Sequence, residues 1–159
     1  MGEIFPEGCG ISRVRGIVSI LKQHKGRMEL SELAEESEED IDDLLPLIKA
    51  CRLLGFATVD ESEVILTEKG SKLTFSNVSK SIREGLEKVD PFRSTLEILG
   101  SGEMNTEDLF NALKSSGVVL HDDPVTNDVI LKKLLIRWGV RSKLLNYNQE
   151  SDLWSRRLN

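Results

Sequence analysis

The sequence predicts a mainly α protein with short β-hairpins, in the α+β class. In the first half, a helical apolar pattern leads through Gly55 into two β-prone runs, residues 56–60 and 63–67. The second half repeats this order of short helix, long helix, glycine and hairpin. A helix that runs through a glycine into a hairpin is the second half of a winged helix. We therefore predict tandem winged-helix (helix-turn-helix plus wing) domains, one over residues 1–76 and one, with a linking helix, over residues 77–159.

Three helices are predicted before the first hairpin. Ser12 can cap the first, which ends near Lys25 and Gly26, and a short second helix begins at Leu30. Ser37 can cap the third, with Asp40 in the place of the capping-box acid. The side chains predicted to face the core are Val14, Ile17, Val18 and Leu21, then Leu33 and Ala34, then Ile41, Leu44, Leu45, Ile48 and Cys51.

Pro46 lies inside the predicted third helix, and Gly55 follows its last turn. Pro46 removes one backbone hydrogen bond and predicts a kink, while the surrounding pattern keeps the helix intact. Gly55 stands where a left-handed cap ends a helix. After the hairpin, Thr67 is expected to cap a fourth short helix with Leu73 and Phe75 inward.

The second half begins with a helix from Ser79 that buries Ile82, Leu86 and Val89. Asp90-Pro91 and Asp123-Pro124 each pair a capping residue with proline at a first helical position. The first starts a helix with Phe92, Leu96 and Leu99 inward. Asn105 or Thr106 caps the next, which contains Leu109, Phe110 and Leu113. The last helix carries Val125, Ile130, Leu131, Leu134, Leu135 and Trp138, is expected to stop at Gly139, and leads to a hairpin of residues 144–147 and 153–156.

Charge is spread unevenly along the 159 residues. The formal net charge is −6. Residues 129–159 contain seven bases and two acids, or +5, which leaves −11 for residues 1–128. This asymmetry bears on binding partners rather than on fold.

The reactive residue types do not form a recognisable site. The sequence contains no GxSxG or HExxH motif, no GxxxxGK[ST] phosphate loop, and no histidine with ligands at metal-binding spacing. Cys51 is expected in the core and Cys9 as a free thiol. We therefore expect no catalytic residue, no metal and no cofactor, and we expect a protein that is not an enzyme.

The sequence lacks the signals that direct proteins to membranes or for secretion. No apolar run approaches the ~20 residues that a membrane-spanning helix needs. The N-terminal residues lack the basic and apolar regions of a signal peptide. Pro6 occupies the position where a myristoylation motif has Ser or Thr. We expect a cytoplasmic protein without membrane insertion.

Several runs carry a family resemblance: ISRVRGIVSIL, LSELAEE, DIDDLLPLIKACRLLGFATV and VILTEKG, then IRWG and LLNYN late in the chain. Together they resemble the C-terminal AAA-associated domain, which follows the ATPase of nitrate-, sulfonate- and taurine-type ABC importers and also occurs as a free-standing protein. DDLLPLIKACRLLGF, with its internal Pro46, is the most specific run, and residues 117–128 depart most. The resemblance implies a partner ATPase and brings no catalytic residues. The start at Met1 and the extent of the likeness lead us to expect a stand-alone member.

Two charged surfaces are candidate contact sites. The acidic candidates are Glu38, Glu39, Asp42 and Asp43, within a stretch of eight acids that would repel phosphate. The basic candidates are Lys132, Lys133, Arg137, Arg156 and Arg157. If the five bases share one face, they form a surface for phosphate or for an acidic protein. Otherwise they are ordinary solvated side chains.

These surfaces leave three hypotheses, ranked by the residues that support them. The first is a non-enzymatic regulatory or protein-interaction module associated with an ABC importer ATPase. The second is a transcription regulator that binds DNA through the basic second domain. The third, supported only by the tendency of pockets to lie at domain boundaries, is ligand sensing or hydrolysis between the domains. We also expect a homodimer, held by the opposite charges and by Ile4 and Phe5 of the N-terminal arm.

Overall fold

The computed structural model of the chain describes residues 3–158. It contains two compact units, which are described separately. One comprises Phe5–Ser81, and the other runs from Ile82 onward and includes Ile4. No helix among residues 3–158 combines the length and the apolar character that crossing a membrane requires.

Helices dominate the chain, and the strands are short. The helices are α1 (Ile11–Gln23), α2 (Leu30–Ser37), α3 (Ile41–Leu53), α4 (Glu68–Ser71), α5 (Val78–Leu86), α6 (Phe92–Leu99), α7 (Thr106–Ser115) and α8 (Pro124–Leu134), which continues into a π-helical segment, Leu135–Val140. The strands are β1 (Arg27–Glu29), β2 (Ala57–Asp60), β3 (Glu63–Leu66), β4 (Glu103–Asn105), β5 (Leu145–Asn148) and β6 (Leu153–Arg156). The expected α+β class, mainly helical with small antiparallel sheets, is confirmed.

The first unit packs three helices against an antiparallel sheet of order β1-β3-β2. Val64 of β3 lies opposite Met28 on one side and Val59 on the other. Gly55 has the predicted positive φ, 84°, and the chain turns there from α3 towards β2. The predicted inward faces of α1 and α2 are buried, as are Cys51 and Cys9.

Two predicted helix caps of the first unit differ from the structure, and a third is confirmed. Ser12 is not a cap, because it lies inside α1, which begins at Ile11 with Gly10 as its N-cap. Ser37 is the last residue of α2 rather than the cap of α3. Its hydroxyl donates to the carbonyl of Leu33 (2.6 Å). Thr67 does cap α4, accepting from the Gly70 amide (3.0 Å).

The buried face of α3 is rotated from its predicted position. Leu44, Ile48 and Cys51 are buried as expected, together with Leu47, whereas Ile41 and Leu45 are 42% and 47% exposed. At about 100° per residue, Ile41 and Leu45 lie at the edge of a face that is centred on Leu44 and Cys51.

Phe75 and Phe5 also depart from expectation. Phe75 is 85% exposed, because α4 ends at Ser71 and no helix turns this side chain inward. Its ring instead lies beneath the guanidinium of Arg15, 4.8 Å from the ring centroid. Phe5 is buried, so it does not offer the free apolar contact that was expected of the N-terminal arm.

The second unit has the same element order as the first, from a helix through a short strand and two helices to a hairpin. Its sheet has the order β4-β6-β5, with Trp154 of β6 opposite both Met104 and Tyr147. Trp138 and Trp154 are fully buried. The third strand of each sheet, β1 or β4, has only three residues and was not predicted.

Two helix starts in the second unit follow the predicted caps, and a third does not. Asn105, one of the two candidates, accepts from the Asp108 amide (2.8 Å), and Asp123 accepts from the Thr126 amide (3.0 Å). The prediction that Asp90 caps α6 with Pro91 at its first helical position is wrong, because Pro91 is the N-cap and the helix begins at Phe92. Asp90, one residue before that cap, still accepts from the Ser94 amide (3.0 Å). The prediction that Gly139 stops the last helix is wrong, because the helix continues to Val140 through the π-helical segment.

Gly139 does not end the helix but allows close packing. A Cβ atom at this position would lie 2.7 Å from Cδ1 of Leu145, so the glycine lets the π-helical segment approach β5. Val125 was also predicted to face inward and is exposed, whereas Leu131, Leu134, Leu135 and Trp138 are buried as expected.

Candidate functional site

The last helix carries an open groove on its exposed side. We call it the basic groove and define it by its lining residues, Val129, Lys132, Lys133, Ile136, Arg137 and Arg141. Its volume is about 540 Å³. Four of its six lining side chains are cationic and the other two are aliphatic.

The groove follows from the spacing of α8. Val125, Val129, Lys132 and Ile136 recur at intervals of four, three and four residues, which places them within about 60° of one another around a helix. Val129 is 49% exposed and Ile136 38%. The exposed Lys133 and Arg137 run along one flank of this stripe. The opposite face of α8, with Leu131 and Leu134, is buried in the core.

The π-helical segment accounts for the presence of Arg141. In a continuous α-helix, Arg141 would lie about 160° from Val125, nearly on the far side. A π turn holds about one residue more than an α turn, so it rotates the following residues back by roughly 100°. The Arg141 amide donates to the Ile136 carbonyl (3.2 Å), a bond that spans five residues. The wider turn thus brings Arg141 beside Val129 and Lys133.

The structure brings together three of the five predicted basic residues. Lys132, Lys133 and Arg137 line the basic groove and Arg141, which was not among the candidates, joins them. Arg156 does not line the groove and forms an ion pair with Glu87 (Nη2 to Oε1, 3.5 Å). Arg157 is exposed outside the groove, and its backbone amide donates to the Leu144 carbonyl (3.0 Å).

Few acids balance the charge of the basic groove. Asp128, on the flank of the stripe opposite Lys133, is paired with Lys114 (3.0 Å). Lys132 lies over the ring of Tyr147, 5.3 Å from the centroid. Within residues 3–158, Lys133, Arg137 and Arg141 form no ion pair. Their charge is therefore available to a ligand or partner.

A hydrogen-bond network supports the hairpin beside the groove. Asp152 accepts from the hydroxyls of Thr106 and Tyr147, the latter at 2.8 Å. The Thr106 hydroxyl also accepts from the indole N–H of Trp154 (2.8 Å). The hydrogen bond from Thr106, followed by that from Tyr147, lowers the pKa of Asp152 below its ordinary value. The network ties the hairpin turn to the start of α7.

The four acidic candidates separate into two kinds. Glu39 is half-buried and pairs with Arg13, and this bond raises the pKa of the Arg13 guanidinium. Glu38, Asp42 and Asp43 are exposed. Glu38 lies at the end of α2 with a positive φ of 58°, and Asp42 and Asp43 occupy the first turn of α3.

Sequence reasoning missed the apolar residues beside these acids. Ile41 and Leu45, expected in the core, are exposed one turn apart on α3, next to Asp42. We call Ile41, Asp42 and Leu45 of α3, together with Glu38 at the end of α2, the acidic face of α3. The acidic character is confined to the first half of the helix, because Lys49 and Arg52 follow.

No arrangement for metal chemistry is apparent between residues 3 and 158. No three His, Cys, Asp or Glu side chains in that range are placed to share an ion. The buried Cys51 has its thiol pKa raised to about 12, chiefly by burial, which disfavours the nucleophilic thiolate.

Comparisons with known proteins place these features in a family. No curated protein and no solved structure matches the chain. The family model of the C-terminal AAA-associated domain matches residues 31–148, which is most of the chain and includes both the basic groove and the acidic face of α3. The protein therefore belongs to the C-terminal AAA-associated domain family.

Proposed function

We propose that this protein is a non-enzymatic regulatory module that binds another protein, namely the ATPase subunit of an ABC importer of the nitrate, sulfonate or bicarbonate type. Membership of the AAA-associated family supports an ATPase partner. The absence of nucleophile, phosphate-loop and metal motifs from the sequence supports a binding role.

The proposal includes a winged-helix architecture for each unit. The support is the order of elements, with a helix, short strand, two helices and a hairpin in both units. In each sheet the short first strand pairs with the last strand of the hairpin. In such a domain, α3 and α8 are the helices available for recognition.

The residues that line the basic groove favour a protein over a nucleic acid as its partner. Its apolar stripe of Val129 and Ile136 lies between cations. Burial of these exposed aliphatic side chains stabilises a complex only if the partner presents apolar surface of its own. Apolar centres with charged rims are usual in protein interfaces. A phosphate backbone would satisfy the cations and leave the aliphatic side chains without a counterpart.

Recovery of partners from native cells tests the proposal. The full chain, tagged and nuclease-treated, should retain an ABC ATPase subunit detectable by mass spectrometry. Lys133→Glu with Arg137→Glu should reduce this recovery at least tenfold, because both charges in the groove are reversed. Lys80→Glu with Lys88→Glu makes the same change in net charge at exposed positions outside the groove and should leave recovery unchanged. Recovery of other proteins without an ABC ATPase subunit would contradict the proposal.

DNA binding through the second unit is the competing function. The observation in its favour is the convergence of Lys132, Lys133, Arg137 and Arg141 on one groove. Affinity of this kind falls steeply with salt, because phosphate contacts release counterions. The exposed acids of α3 make the first unit unsuited to the same role.

A gel-shift series on genomic fragments decides between the two functions. If DNA is the ligand, Lys132→Glu with Lys133→Glu should abolish the shift, and Glu38→Gln should not weaken it. No shift at low salt for the wild-type chain would exclude this function.

A further inference from the structure

The basic groove and the acidic face of α3 are complementary to each other. Each contains two exposed aliphatic side chains on one side of a helix, Val129 and Ile136 in the groove and Ile41 and Leu45 on α3. The charges beside the two aliphatic pairs have opposite signs. One chain therefore carries both halves of a possible contact between copies.

We propose that the acidic face of α3 in one copy of the chain binds the basic groove of a second copy. The aliphatic pairs would pack against each other, which removes exposed apolar surface from water on both sides. Glu38 and Asp42 would then oppose Lys133 and Arg137, cations that no other described residue neutralises. This inference does not depend on an ATPase partner, which would compete with the second copy for the same groove.

The first half of α3 fits the groove better than the rest of the helix does. Lys49 and Arg52 follow the acids, so a longer contact would bring cations towards the cations of the groove. About two turns of helix therefore enter the contact. Asp43 is placed outside it, because its charge already acts on Arg13.

The contact joins two different surfaces and so is heterologous. Such a contact closes into a dimer if the reciprocal contact forms at the same time, and otherwise propagates into longer assemblies. Its electrostatic part is screened at high salt, where the Debye length falls from about 10 Å at 0.1 M to about 3 Å at 1 M. Association should therefore increase with protein concentration and decrease with salt.

Sedimentation of two charge-reversed variants tests the contact directly. In Lys133→Glu with Arg137→Glu, the groove becomes acidic and repels the unchanged α3. In Glu38→Lys with Asp42→Lys, the α3 face becomes basic and repels the unchanged groove. All four positions are exposed, and circular dichroism checks that each variant is folded. Each variant alone should sediment as a monomer under conditions where the nuclease-treated wild-type chain associates.

Mixing the two variants gives the decisive result. The acidic groove of the first variant then meets the basic α3 of the second, and the unchanged α3 of the first meets the unchanged groove of the second. The mixture should therefore recover an associated species. Lys80→Glu with Lys88→Glu is the matched control and should associate as the wild type does. A wild-type chain that stays monomeric at low salt and high concentration overturns the proposal. So does a mixture that stays monomeric while the wild type associates, since the contact would then lie elsewhere.

Discussion

At the scale of single residues, Asp152 shows how a turn is fixed by one carboxylate. It lies in the turn of the second hairpin with a positive φ of 54° and accepts hydrogen bonds from Thr106 and Tyr147. These bonds favour the charged form and lower the pKa of Asp152. An unfolded Asp titrates near 3.9, so on acidification the unfolded chain takes up this proton before the folded chain does.

The lower pKa of Asp152 in the folded chain than in the unfolded chain leads to the first prediction. Stability from Asp152 is complete above about pH 4 and is lost as the pH falls through the lower folded pKa. In Asp152→Asn the side chain can still accept both hydrogen bonds and no longer titrates. Its free energy of unfolding should therefore fall less steeply than that of the wild type below about pH 4, as measured by urea denaturation at a series of pH values. Glu150→Gln, an exposed change in the same turn, is the control. Equal slopes for the wild type and Asp152→Asn would contradict the assignment.

Thr95 differs from Asp152 in that its buried side-chain oxygen accepts and donates no hydrogen bond within residues 3–158. Its side chain is fully buried in α6. A buried hydroxyl without a partner carries its desolvation cost uncompensated. Valine has nearly the same shape and no hydroxyl.

We therefore expect Thr95→Val to raise the free energy of unfolding by about 1 kcal/mol. Thr95→Ala is the comparison, because it also removes the hydroxyl and leaves a cavity that costs stability. Urea denaturation followed by tryptophan fluorescence measures both. A substantial loss of stability in Thr95→Val would mean that the hydroxyl is satisfied in solution.

At the scale of elements, two helical glycines make opposite predictions. Gly16 is exposed in the interior of α1, and a Cβ atom there would meet nothing within 4 Å. Gly70 in α4 is buried, and its Cβ atom would lie 2.1 Å from the carbonyl oxygen of Phe56. That oxygen belongs to the backbone and accepts from the Thr67 amide (3.0 Å), so it cannot move freely.

Substitution of each glycine by alanine distinguishes the effect of helix propensity on stability from the effect of side-chain packing. Gly16→Ala should stabilise the chain by up to about 1 kcal/mol, because alanine loses less backbone entropy in a helix. Gly70→Ala should destabilise it by roughly 1–3 kcal/mol through overpacking. Chemical denaturation followed by circular dichroism gives both values. If Gly70→Ala proved as stable as the wild type, the close approach of α4 to Phe56 would be wrong.

The elements also show where sequence reasoning succeeds. Local signals identified most helices and both hairpins. Asn105 and Asp123 act as caps because their side chains accept from amides three residues ahead, a bond that depends only on nearby residues. Gly55 likewise adopts the left-handed conformation that its position after an apolar helix predicts.

Features that depend on distant partners were missed. β1 and β4 have three residues each, too few for an alternating pattern, and they exist because β3 and β6 offer them free edges. The π-helical segment packs Gly139 closely against Leu145 and turns Arg141 to a side that an α-helical period does not predict. The exposure of Ile41 and Leu45 similarly follows from which face of α3 the core accepts.

At the scale of the whole molecule, two units with the same order of elements differ in surface charge. The helix before the hairpin is acidic at its start in one unit and basic towards its end in the other. Fold does not dictate function, and these surface differences are what can specify different partners for the two units. The tryptophans are also unevenly placed, since Trp138 and Trp154 both lie in the unit that begins at Ile82.

This placement lets the two units be followed separately. Each unit has its own buried core, so we expect two unfolding transitions rather than one. Tryptophan fluorescence reports only the second unit, whereas far-ultraviolet circular dichroism reports the helices of both. Gly70→Ala should lower the midpoint of one dichroism transition and leave the fluorescence midpoint unchanged. Thr95→Val should raise the fluorescence midpoint. If every variant moved both probes together, the chain would unfold as one cooperative unit and the expectation would be wrong.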